Sequence, residues 1–397
     1  MDSAEREGLR PKGNVPNLRF KEFQGEWKEE RLADIADLYK GTGISKEQLS
    51  GDGEPCILYG ELYTKYKSET IREVISKTNI DNTKLVRSKA NDVIIPCSGE
   101  TAEDIATARC VLNGNILLGG DLNIIRLHGY DGAFMSYQLN GRRKYDIAKV
   151  AQGVSVVHLY GEHLKGVKTF NPCLEEQKKI AKLLSLLDER IATQNKIIED
   201  LKKLKSAIIE KHYSQVKKRT TCIADLGEPF SVGSLAKDDL TEIGSPCVIY
   251  GELFTTYGEI IFHIESCTNK TDGMILSKKG DLLFPSSTTV DAMSLIAPSV
   301  INVDGVVLGG DMFGIHISHN YNSQYLSYYF NHIAKKQLAK FAKGSTIIHL
   351  HYKDIEKAKL LLPSLEEQNR MAKCLVALDK KVSVEQNLLS SLSCQKS

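Results

Sequence analysis

The longest regular pattern of apolar and polar residues runs from Leu174 to about Arg219, and no glycine or proline interrupts it. Its apolar residues recur at alternating steps of three and four, a spacing that puts one apolar stripe along a helix and, when sustained, predicts a coiled-coil partner. At 1.5 Å per residue this helix would be roughly 65 Å long. The positions on the stripe are Ile180, Leu184, Leu187, Ile191, Gln194, Ile198, Leu201, Lys205 and Ile208.

A second stripe of the same kind runs from Leu365 to the C-terminal end of the sequence. The letters LEEQ open both stretches, at Leu174 and again at Leu365, and Pro172 and Pro363 precede them. Proline is well placed just before a helix start. We therefore expect two long helices that pair antiparallel along their stripes. The second stripe consists of Met371, Leu375, Leu378, Val382, Glu385, Leu389 and Leu392.

The segments that precede the two helices repeat one another in order. PCILYGELYTKY from Pro55 matches PCVIYGELFTTY from Pro246, and both have the composition of strands. Strings with a double glycine, ILLGGDLNIIRL and VVLGGDMFGIHI, follow in the same order, and then AQGVSVVHL and AKGSTIIHL. Helical patterns are predicted at 27–38, 134–150 and 325–341. The sequence is therefore a tandem duplication of domain and long helix.

This order predicts an α+β fold with two similar globular domains, two long helices forming an antiparallel coiled coil, and pseudo-two-fold symmetry. A length of 397 residues also favours two or more domains over one core. We expect the stretch 1–17 to be a disordered segment that is neither a signal nor a transit peptide. The predicted boundaries are 18–173 for the first domain, 174–219 for its helix, 220–363 for the second domain and 364–397 for its helix.

Composition narrows the class of protein further. No run of 18 apolar residues predicts a membrane span, and nine dispersed cysteines favour reduced thiols in a cytoplasm over a disulfide framework. The net charge of +2 is low for a dedicated nucleic-acid binder. Basic residues nevertheless cluster in 196–219, in 142–149 and in 335–343. Such clusters are more often solvated faces than binding sites.

We find no pattern that predicts an enzyme. GTG at Gly41 lacks the context of a dinucleotide-binding loop, and Glu176 of an E-x-K string lies on a helix without the acidic partner that a nuclease needs. His349 and His351 have a spacing seen in some metal sites, but the matching positions in the first half of the chain are His158 and Tyr160, so the spacing is not repeated. We therefore favour a structural or phosphate-contacting role for these histidines.

The repeated polar loops suit the binding of a polyanion. Glycine lets backbone N–H groups approach a phosphate, and serine and threonine hydroxyls add donors. Tyrosine and glutamate can contact bases, although the identity of YGE in both halves is equally typical of a structural framework. The candidate DNA-binding residues are Tyr59, Glu61, Ser98, Glu100, Thr101, Arg142, Arg143, Gly153, Ser155 and His158 in the first half, and Tyr250, Glu252, Ser286, Ser287, Thr288, Lys343, Gly344, Ser345, Thr346 and His349 in the second.

Taken together, the duplicated order, the YGEL and LGGD strings, the A-x-G-x-x-x-x-H-L segments and the P-x-L-E-E-Q helix starts resemble the specificity subunit of type I restriction–modification enzymes. The resemblance covers nearly the whole chain. It implies a non-catalytic, cytoplasmic subunit in a prokaryote. Each recognition domain would read one half of a bipartite site in double-stranded DNA, and the helices would set the gap between the halves.

The same resemblance implies partners and cofactors. Two modification subunits would bring S-adenosylmethionine and methylate adenine, and restriction subunits would bring ATP-driven translocation and cleavage with magnesium; this chain would bind no cofactor or metal itself. An assembly scaffold that binds proteins instead of DNA remains an alternative, as does a self-contained methyltransferase. Because the second helix is the shorter, we also expect the basic end of the first, 211–219, to lack a coiled-coil partner and to act as a linker or touch the DNA backbone.

Overall fold

A computed structural model describes residues 15–16, 18–81, 83–153 and 156–396. The segment predicted to be disordered therefore lies almost wholly outside the described residues. The chain divides into two compact units, one formed by Met1–Gln194 with Leu389–Ser397 and the other by Asn195–Leu388. Among the described residues, no helix has both the length and the apolar character needed to cross a membrane.

The first unit contains short strands and helices followed by one long helix. Its strands are β1 Lys28–Arg31, β2 Ala36–Lys40, β3 Leu49–Ser50, β4 Glu54–Ile57, β5 Thr70–Ile71, β6 Ser76–Thr78, β7 Asp92–Pro96, β8 Ser98–Gly99, β9 Arg109–Val111, β10 Leu117–Leu118, β11 Leu122–Leu127, β12 Val157–His158 and β13 Lys168–Asn171. Its helices are α1 Leu32–Ile35, α2 Glu61–Thr64, α3 Ala102–Ile105, α4 Gly132–Asn140, α5 Lys144–Val150, α6 Gly161–Leu164 and α7 Leu174–Gln215, the last of which continues into the second unit; Lys46–Gln48 is a 3-10 turn.

A five-stranded sheet in the order β2-β11-β7-β9-β5 forms the centre of the first unit. Side chains alternate across it, because successive residues of a strand point to opposite faces. Val93 and Ile95 of β7 pack in one cluster with Met135 of α4, whereas Ile94 packs in another with Ile57 and Leu118 of the four-stranded sheet β10-β4-β6-β3. Burial of both faces explains why β7 has no polar side chain between Asp92 and its end.

The second unit repeats this arrangement. Its strands are β14 Arg219–Cys222, β15 Gly227–Ser231, β16 Leu240–Thr241, β17 Ser245–Ile249, β18 Ile260–Ile261, β19 Ser266–Thr268, β20 Ile275–Leu276, β21 Leu282–Pro285, β22 Ser287–Thr288, β23 Ser299–Ile301, β24 Val307–Gly309, β25 Met312–Ile317, β26 Ile348–His349 and β27 Lys359–Leu362. Its helices are α8 Glu252–Thr255, α9 Ala292–Leu295, α10 Ser323–His332, α11 Lys335–Leu338, α12 Tyr352–Ile355 and α13 Leu365–Lys396, with 3-10 turns at Ile223–Leu226, Lys237–Asp239 and Ala339–Phe341.

The sheets of the two units correspond strand by strand. The order β15-β25-β21-β23-β18 matches the central sheet of the first unit, and β16-β19-β17-β24 matches its four-stranded sheet, with β20 as an additional edge strand. Two-stranded pairings β1-β13 and β14-β27 close the two units, and β8-β12 and β22-β26 form a short ribbon in each. The predicted α+β tandem duplication is confirmed.

Both predicted long helices are present. α7 spans 42 residues and α13 spans 32. The seam positions of both helices are buried or half-buried, and even the polar Gln194 and Glu385 on these seams are only 5% and 8% exposed. In the second unit His212 of α7 lies 3.1 Å from Glu367 at the start of α13, whereas Lys205 lies 2.8 Å from Asp379 further along it. Positions that rise along one helix as they fall along the other make the pair antiparallel, as predicted.

The glutamine of each LEEQ string explains why the motif stands at the helix starts. The Gln177 side chain donates to the carbonyl of Pro172 at 2.8 Å and accepts from the backbone N–H of Asp131 at 2.9 Å. Gln368 makes the matching pair of bonds, to Pro363 at 2.9 Å and from Asn322 at 3.0 Å. Each buried glutamine thus fastens the first turn of a long helix to the first turn of α4 or α10 and satisfies polar groups that burial would otherwise leave without partners.

The expectation that the basic end of the first helix lacks a coiled-coil partner was wrong. The His212–Glu367 contact pairs that end with the start of α13, and Ile209 lies in the core of the second unit. The overhang is at the other end of α7. There Arg19, from the segment before β1, pairs with the buried Glu176 at 2.7 Å. The antiparallel register explains why the start of α7 extends beyond α13, because Lys396, near the end of α13, pairs with Asp188 of α7.

Two shorter predictions also need correction. The helical pattern at 27–38 forms β1, one helical turn (α1) and β2, because pairing of β1 with β13 and of β2 with β11 overrides the local preference. The tyrosine-rich strand pattern ends at Ile57 in the first unit and at Ile249 in the second, and the letters EL that follow begin α2 and α8. The predicted helices near 134–150 and 325–341 are present, each as two consecutive helices.

Candidate nucleic-acid interface

In each unit, two polar loops that are far apart in the sequence form one short antiparallel ribbon. Ser98 lies opposite His158 where β8 pairs with β12, and Ser287 lies opposite His349 where β22 pairs with β26. A buried strand leads into each ribbon, since β8 follows β7 and β22 follows β21. The predicted loops of each half are therefore brought together by the fold.

A glycine with a left-handed backbone shapes the loop that precedes the second strand of each ribbon. Gly153 has φ +126° and Gly344 has φ +117°. A Cβ atom at Gly344 would lie 2.0 Å from the carbonyl oxygen of Ile347, and one at Gly153 would lie 2.1 Å from that of Val156. Two backbone hydrogen bonds between Lys343 and His349 close the loop in the second unit. Only glycine fits these positions, because any side chain would be strained and would collide with backbone.

Two stacked rings lie at the end of each ribbon, the first on its last paired residue and the second two residues further along the chain. His158 stacks on Tyr160 with ring centroids 5.9 Å apart, and His349 stacks on His351 at 6.1 Å. The Lys40 ammonium lies 5.8 Å from the centre of the Tyr160 ring. Tyr160 and Lys40 were not among the site residues predicted from the sequence. The spacing of two residues along an extended strand, which puts both rings on one face, is the signal that could have identified Tyr160.

The loop of the second unit is presented to solvent. Lys343, Gly344, Ser345, Thr346 and His349 are all exposed. Two lysines just before the loop, Lys336 and Lys340, are exposed as well. The Lys343 ammonium pairs with Asp354, so part of its charge is neutralised within the protein. This unit therefore presents hydroxyls, backbone N–H groups and positive charge along one continuous loop.

An open cavity of about 530 Å³ adjoins the ribbon of the first unit, and its walls include Tyr59, Ser98, Glu100 and Val156. Tyr63, also in the wall, donates its hydroxyl to the carbonyl of Ser98 at 3.2 Å, which fixes the start of the ribbon. Burial, with a smaller contribution from the nearby Asp104, raises the pKa of Tyr63, so its hydroxyl stays a neutral donor. The cavity brings three predicted residues together in one concave surface.

Thr101 and Thr288 take different parts in their loops. Thr101 is exposed and caps α3, since its hydroxyl oxygen accepts from the backbone N–H of Asp104 at 3.1 Å. Thr288 is half-buried in β22. Tyr250 is half-buried against the apolar cluster of the second unit, whereas its counterpart Tyr59 is 39% exposed.

Several other predicted residues are used by the fold itself. The Glu61 carboxylate is 5% exposed and accepts from the backbone N–H of Leu58 at 3.0 Å, and Glu252 is 8% exposed and accepts from Ile249 at 2.9 Å. These two carboxylates hold the chain where β4 and β17 end, so they are framework groups rather than groups presented to a ligand. Ser286 and Ser287 are also buried, at 3% and 8% exposure.

Of the two arginines that follow α4, Arg143 is held by the protein and Arg142 is not buried. Arg143 forms an ion pair with Asp146 at 2.9 Å and lies over the Phe170 ring at 5.0 Å, which ties its guanidinium to the protein surface. Arg142 is exposed. Ser155 lies outside the described residues. The structure thus leaves Arg142 as the arginine of this pair that is available to a ligand.

Comparison with known proteins identifies the family. The family model described as type I restriction modification DNA specificity domain matches residues 24–203 and again 222–393. The chain belongs to this family. Two curated relatives from Methanocaldococcus jannaschii are each 24% identical: the MjaVIII specificity subunit, over 92% of this chain and 90% of the relative, and the putative MjaX specificity subunit, over 94% and 91%.

Solved structures of similar chains show the same fold. The S subunit of a type I restriction–modification system from M. genitalium has a TM-score of 0.65 at 18% identity, with 96% of each chain covered. A chain from a study of assembly and conformational transition of the type I system has a TM-score of 0.53 at 15% identity, with 93% of this chain and 95% of that one covered. The two matches of the family model correspond to the two repeats derived above.

Proposed function

We propose that this chain is the DNA sequence-recognition subunit of a type I restriction–modification complex, and that each unit reads one half of a bipartite site. The observation that carries the proposal is the duplicated ribbon. Both ribbons have the same register, the same left-handed glycine and the same stacked-ring position, whereas the side chains on their exposed loops differ. A shared scaffold with different surface groups suits two half-sites of different sequence.

The loops that lead into α3 and α9 are the proposed base-reading elements. They have the sequences CSGET from Cys97 and SSTTV from Ser286. Two residues before the helix starts, the first unit has the exposed Glu100 and the second has Val290, which is 70% exposed. A carboxylate accepts a hydrogen bond from cytosine N4, whereas an apolar side chain contacts the methyl group of thymine. The two half-sites are therefore expected to differ at the base pairs that these residues face.

Contacts to the DNA backbone would set the register of each unit. The glycine loops offer backbone N–H groups, and in the second unit Ser345, Thr346 and the lysines Lys336 and Lys340 lie on the same exposed segment. Such contacts position a protein on DNA without reading its sequence. The low net charge of +2 favours a complex in which partner subunits supply part of the positive surface.

The long helices offer a surface for those partners. Exposed apolar residues lie one position before the seam in both helices, about 100° around the helix from it. Ile197 and Leu388 occupy matching positions in the two repeats and are 38% and 37% exposed. We propose that modification subunits, two per chain, dock on these stripes. The other members of the stripes are Leu183, Leu186, Leu204 and Val384.

In this proposal the chain selects the site and its partners carry out the chemistry. The modification subunits would hold S-adenosylmethionine and methylate adenine, and restriction subunits, where present, would use ATP and magnesium. No cofactor is assigned to this chain itself. The complex would work in the cytoplasm of a prokaryote, where its DNA target is found.

Exchange of the base-reading loops tests the proposal. Residues 97–101 would be replaced by the sequence of 286–291, so that Asp291 replaces Thr101 as the helix cap, and the methylated sequence would be determined with the modification subunits present. The expected result is a change in one half-site with the other half-site and the gap retained. As a control, the exposed turn at Gly305 would be replaced by the turn at Asn115, because neither turn lies in a ribbon. A loop exchange that folds and leaves both half-sites unchanged would contradict the proposed role of these loops.

A further inference from the structure

A buried lysine connects each recognition domain to both long helices, and the same arrangement occurs in both units. In the second unit Lys205 of α7 lies 2.9 Å from Glu259, which belongs to the globular domain, and 2.8 Å from Asp379 of α13. Tyr328 of α10 donates its hydroxyl to the other oxygen of Asp379 at 2.5 Å. The lysine side chain is only 12% exposed, so the ion pairs are largely shielded from water.

The first unit contains the matching four residues. Lys396 of α13 lies 2.7 Å from Glu69 of the globular domain and 2.6 Å from Asp188 of α7. Tyr137 of α4 donates to Asp188 at 2.7 Å. The lysine, the aspartate and the tyrosine keep the same sequence offset between the repeats as the two LEEQ strings, and the glutamate differs from that offset by one position.

Each lysine also lies over the ring of the tyrosine in its cluster. The Lys205 ammonium is 5.5 Å from the centre of the Tyr328 ring, and the Lys396 ammonium is 5.7 Å from that of the Tyr137 ring. A cation at this distance from an aromatic face is attracted to it. The two clusters thus agree in residue types, in hydrogen bonds and in the position of the lysine against the ring.

In each cluster the lysine belongs to the helix of the other repeat. Lys205 lies on the helix that follows the first domain, yet it binds the second domain, and Lys396 lies on the helix that follows the second domain, yet it binds the first. Each cluster therefore joins three elements: a recognition domain, its own helix and the helix of the other repeat. A domain cannot turn against the helix pair without separating a shielded lysine from a carboxylate, which is costly.

The charge state of the clusters supports this role. Burial acts to lower the pKa of Lys205, but Glu259 and Asp379 outweigh it and raise the pKa overall. Lys396 shows the same balance between burial and its two carboxylates, with the pKa raised. Both lysines are therefore cations near neutral pH. Loss of either one would remove the cation that lies between two carboxylates.

We propose that Lys205 and Lys396 are positioning residues that fix the angle of each recognition domain on the helix pair, and thereby the gap that the complex accepts between its two half-sites. The inference rests on the proposed function. It states that one lysine per unit limits the range of gap lengths that the complex accepts. Contacts with the bases do not determine this range. A domain released from its cluster would still read its half-site, but over a wider range of spacings.

The test uses the purified complex of the full chain with its modification subunits. Methylation rates would be measured on DNA with the natural gap and on DNA with the gap one base pair longer or shorter. For Lys205→Met and for Lys396→Met, we expect the rate on altered gaps relative to the natural gap to rise about fivefold, which corresponds to a loss of about 1 kcal/mol in the preference for the natural gap. Lys203→Met and Lys373→Met, at exposed positions on the same two helices, are the matched controls and should not change the ratio.

Further variants separate positioning from a loss of folding. Tyr328→Phe and Tyr137→Phe remove one hydroxyl without a cavity and should raise the ratio less, whereas Lys205→Arg keeps the charge and should restore most of the gap preference. If the variants fold, by their thermal unfolding midpoints, and keep the wild-type gap preference, the inference is wrong. If the wild-type complex methylates no bipartite site at all, the proposed function itself fails, and the two failures are thus distinguishable.

Discussion

Ser287 lies directly opposite His349 where β22 pairs with β26, although the two strands are far apart in the sequence. Ser98 and His158 form the same pair between the equally distant β8 and β12 of the first unit. Each pair joins a loop that leaves a buried strand to a loop that follows a basic helix. The pairing brings two separately predicted loops together on one surface.

The left-handed glycines are expected to be essential to this surface. Gly344→Ala should destabilise the protein by about 1–3 kcal/mol, because the new Cβ would lie 2.0 Å from a backbone oxygen and φ is strained. The methylation rate should fall by a larger factor than the decrease in the folded fraction explains, because the loop itself is distorted. Urea unfolding and methylation assays would measure the two effects. Gly258→Ala is the control, because nothing lies within 4 Å of its Cβ, and an equally large effect there would contradict the account.

The exposed lysines before the second loop should set part of the salt dependence of DNA binding. Each phosphate contact steepens the slope of log K against log salt by about 0.9 for B-DNA. Lys336→Ala and Lys340→Ala should therefore each reduce the slope by about one and weaken binding to all sequences alike. Lys373→Ala on α13 is the matched control. Fluorescence anisotropy over a salt series would measure the slope, and a change in sequence preference instead would refute the assignment to phosphates.

Acid should weaken the cluster around Lys205. Burial acts to raise the pKa of Glu259, but the His332 hydrogen bond and the charge of Lys205 outweigh it and lower the pKa from 4.5 to about 2. Since the folded-state pKa is depressed, this carboxylate stabilises the fold above pH 4.5, and the contribution is lost as the pH falls from 4.5 towards 2.

The free energy of unfolding of Glu259→Gln should therefore depend less on pH than that of the wild type across this window. Urea unfolding at a series of pH values would measure both proteins. Glu242→Gln, at an exposed position in the same unit, serves as the control. Identical pH profiles for the wild type and Glu259→Gln would show that Glu259 does not contribute in this way.

A longer helix pair should lengthen the gap in the DNA site. Insertion of seven residues after Gln194 and seven after Glu385 keeps the apolar seam of each helix and adds about 10 Å to the pair. With a rise of about 3.4 Å per base pair, the accepted gap should grow by about three base pairs while both half-sites stay the same. Seven residues inserted at the exposed Gly305 should leave the gap unchanged. The same gap in wild type and in the lengthened variant would contradict the proposal that the helices set it.

The sequence alone predicts the features that depend on local periodicity. The stripes on both long helices, their antiparallel pairing and the tandem order of the domains are all confirmed, because helical periods and repeated strings persist over many residues. The residues at 27–38 show the limit, since β1 and β2 form there through pairing with β13 and β11, which lie far along the chain. The sequence contains no direct sign of such partners.

Only part of the candidate site could be predicted from the sequence. The sequence indicates the polar loops, and Gly153 and Gly344 within them, but a buried glutamate looks the same in sequence as an exposed one, so the framework role of Glu61 and Glu252 emerges only from the structure. Lys205 could be placed on the seam of its helix from its spacing. Its carboxylate partner Glu259 comes from a segment 54 residues later and could not be assigned before the fold was known.

A genome-wide map of methyladenine tests the central claim most directly. The chain would be co-expressed with its modification subunits, and the same strain without the chain would be the control. We predict one bipartite motif that is methylated only when the chain is present, with two half-sites of different sequence and one fixed gap. Methylation that does not depend on the chain, or a stable complex that methylates no such motif, would contradict this claim and would favour a scaffold that binds proteins.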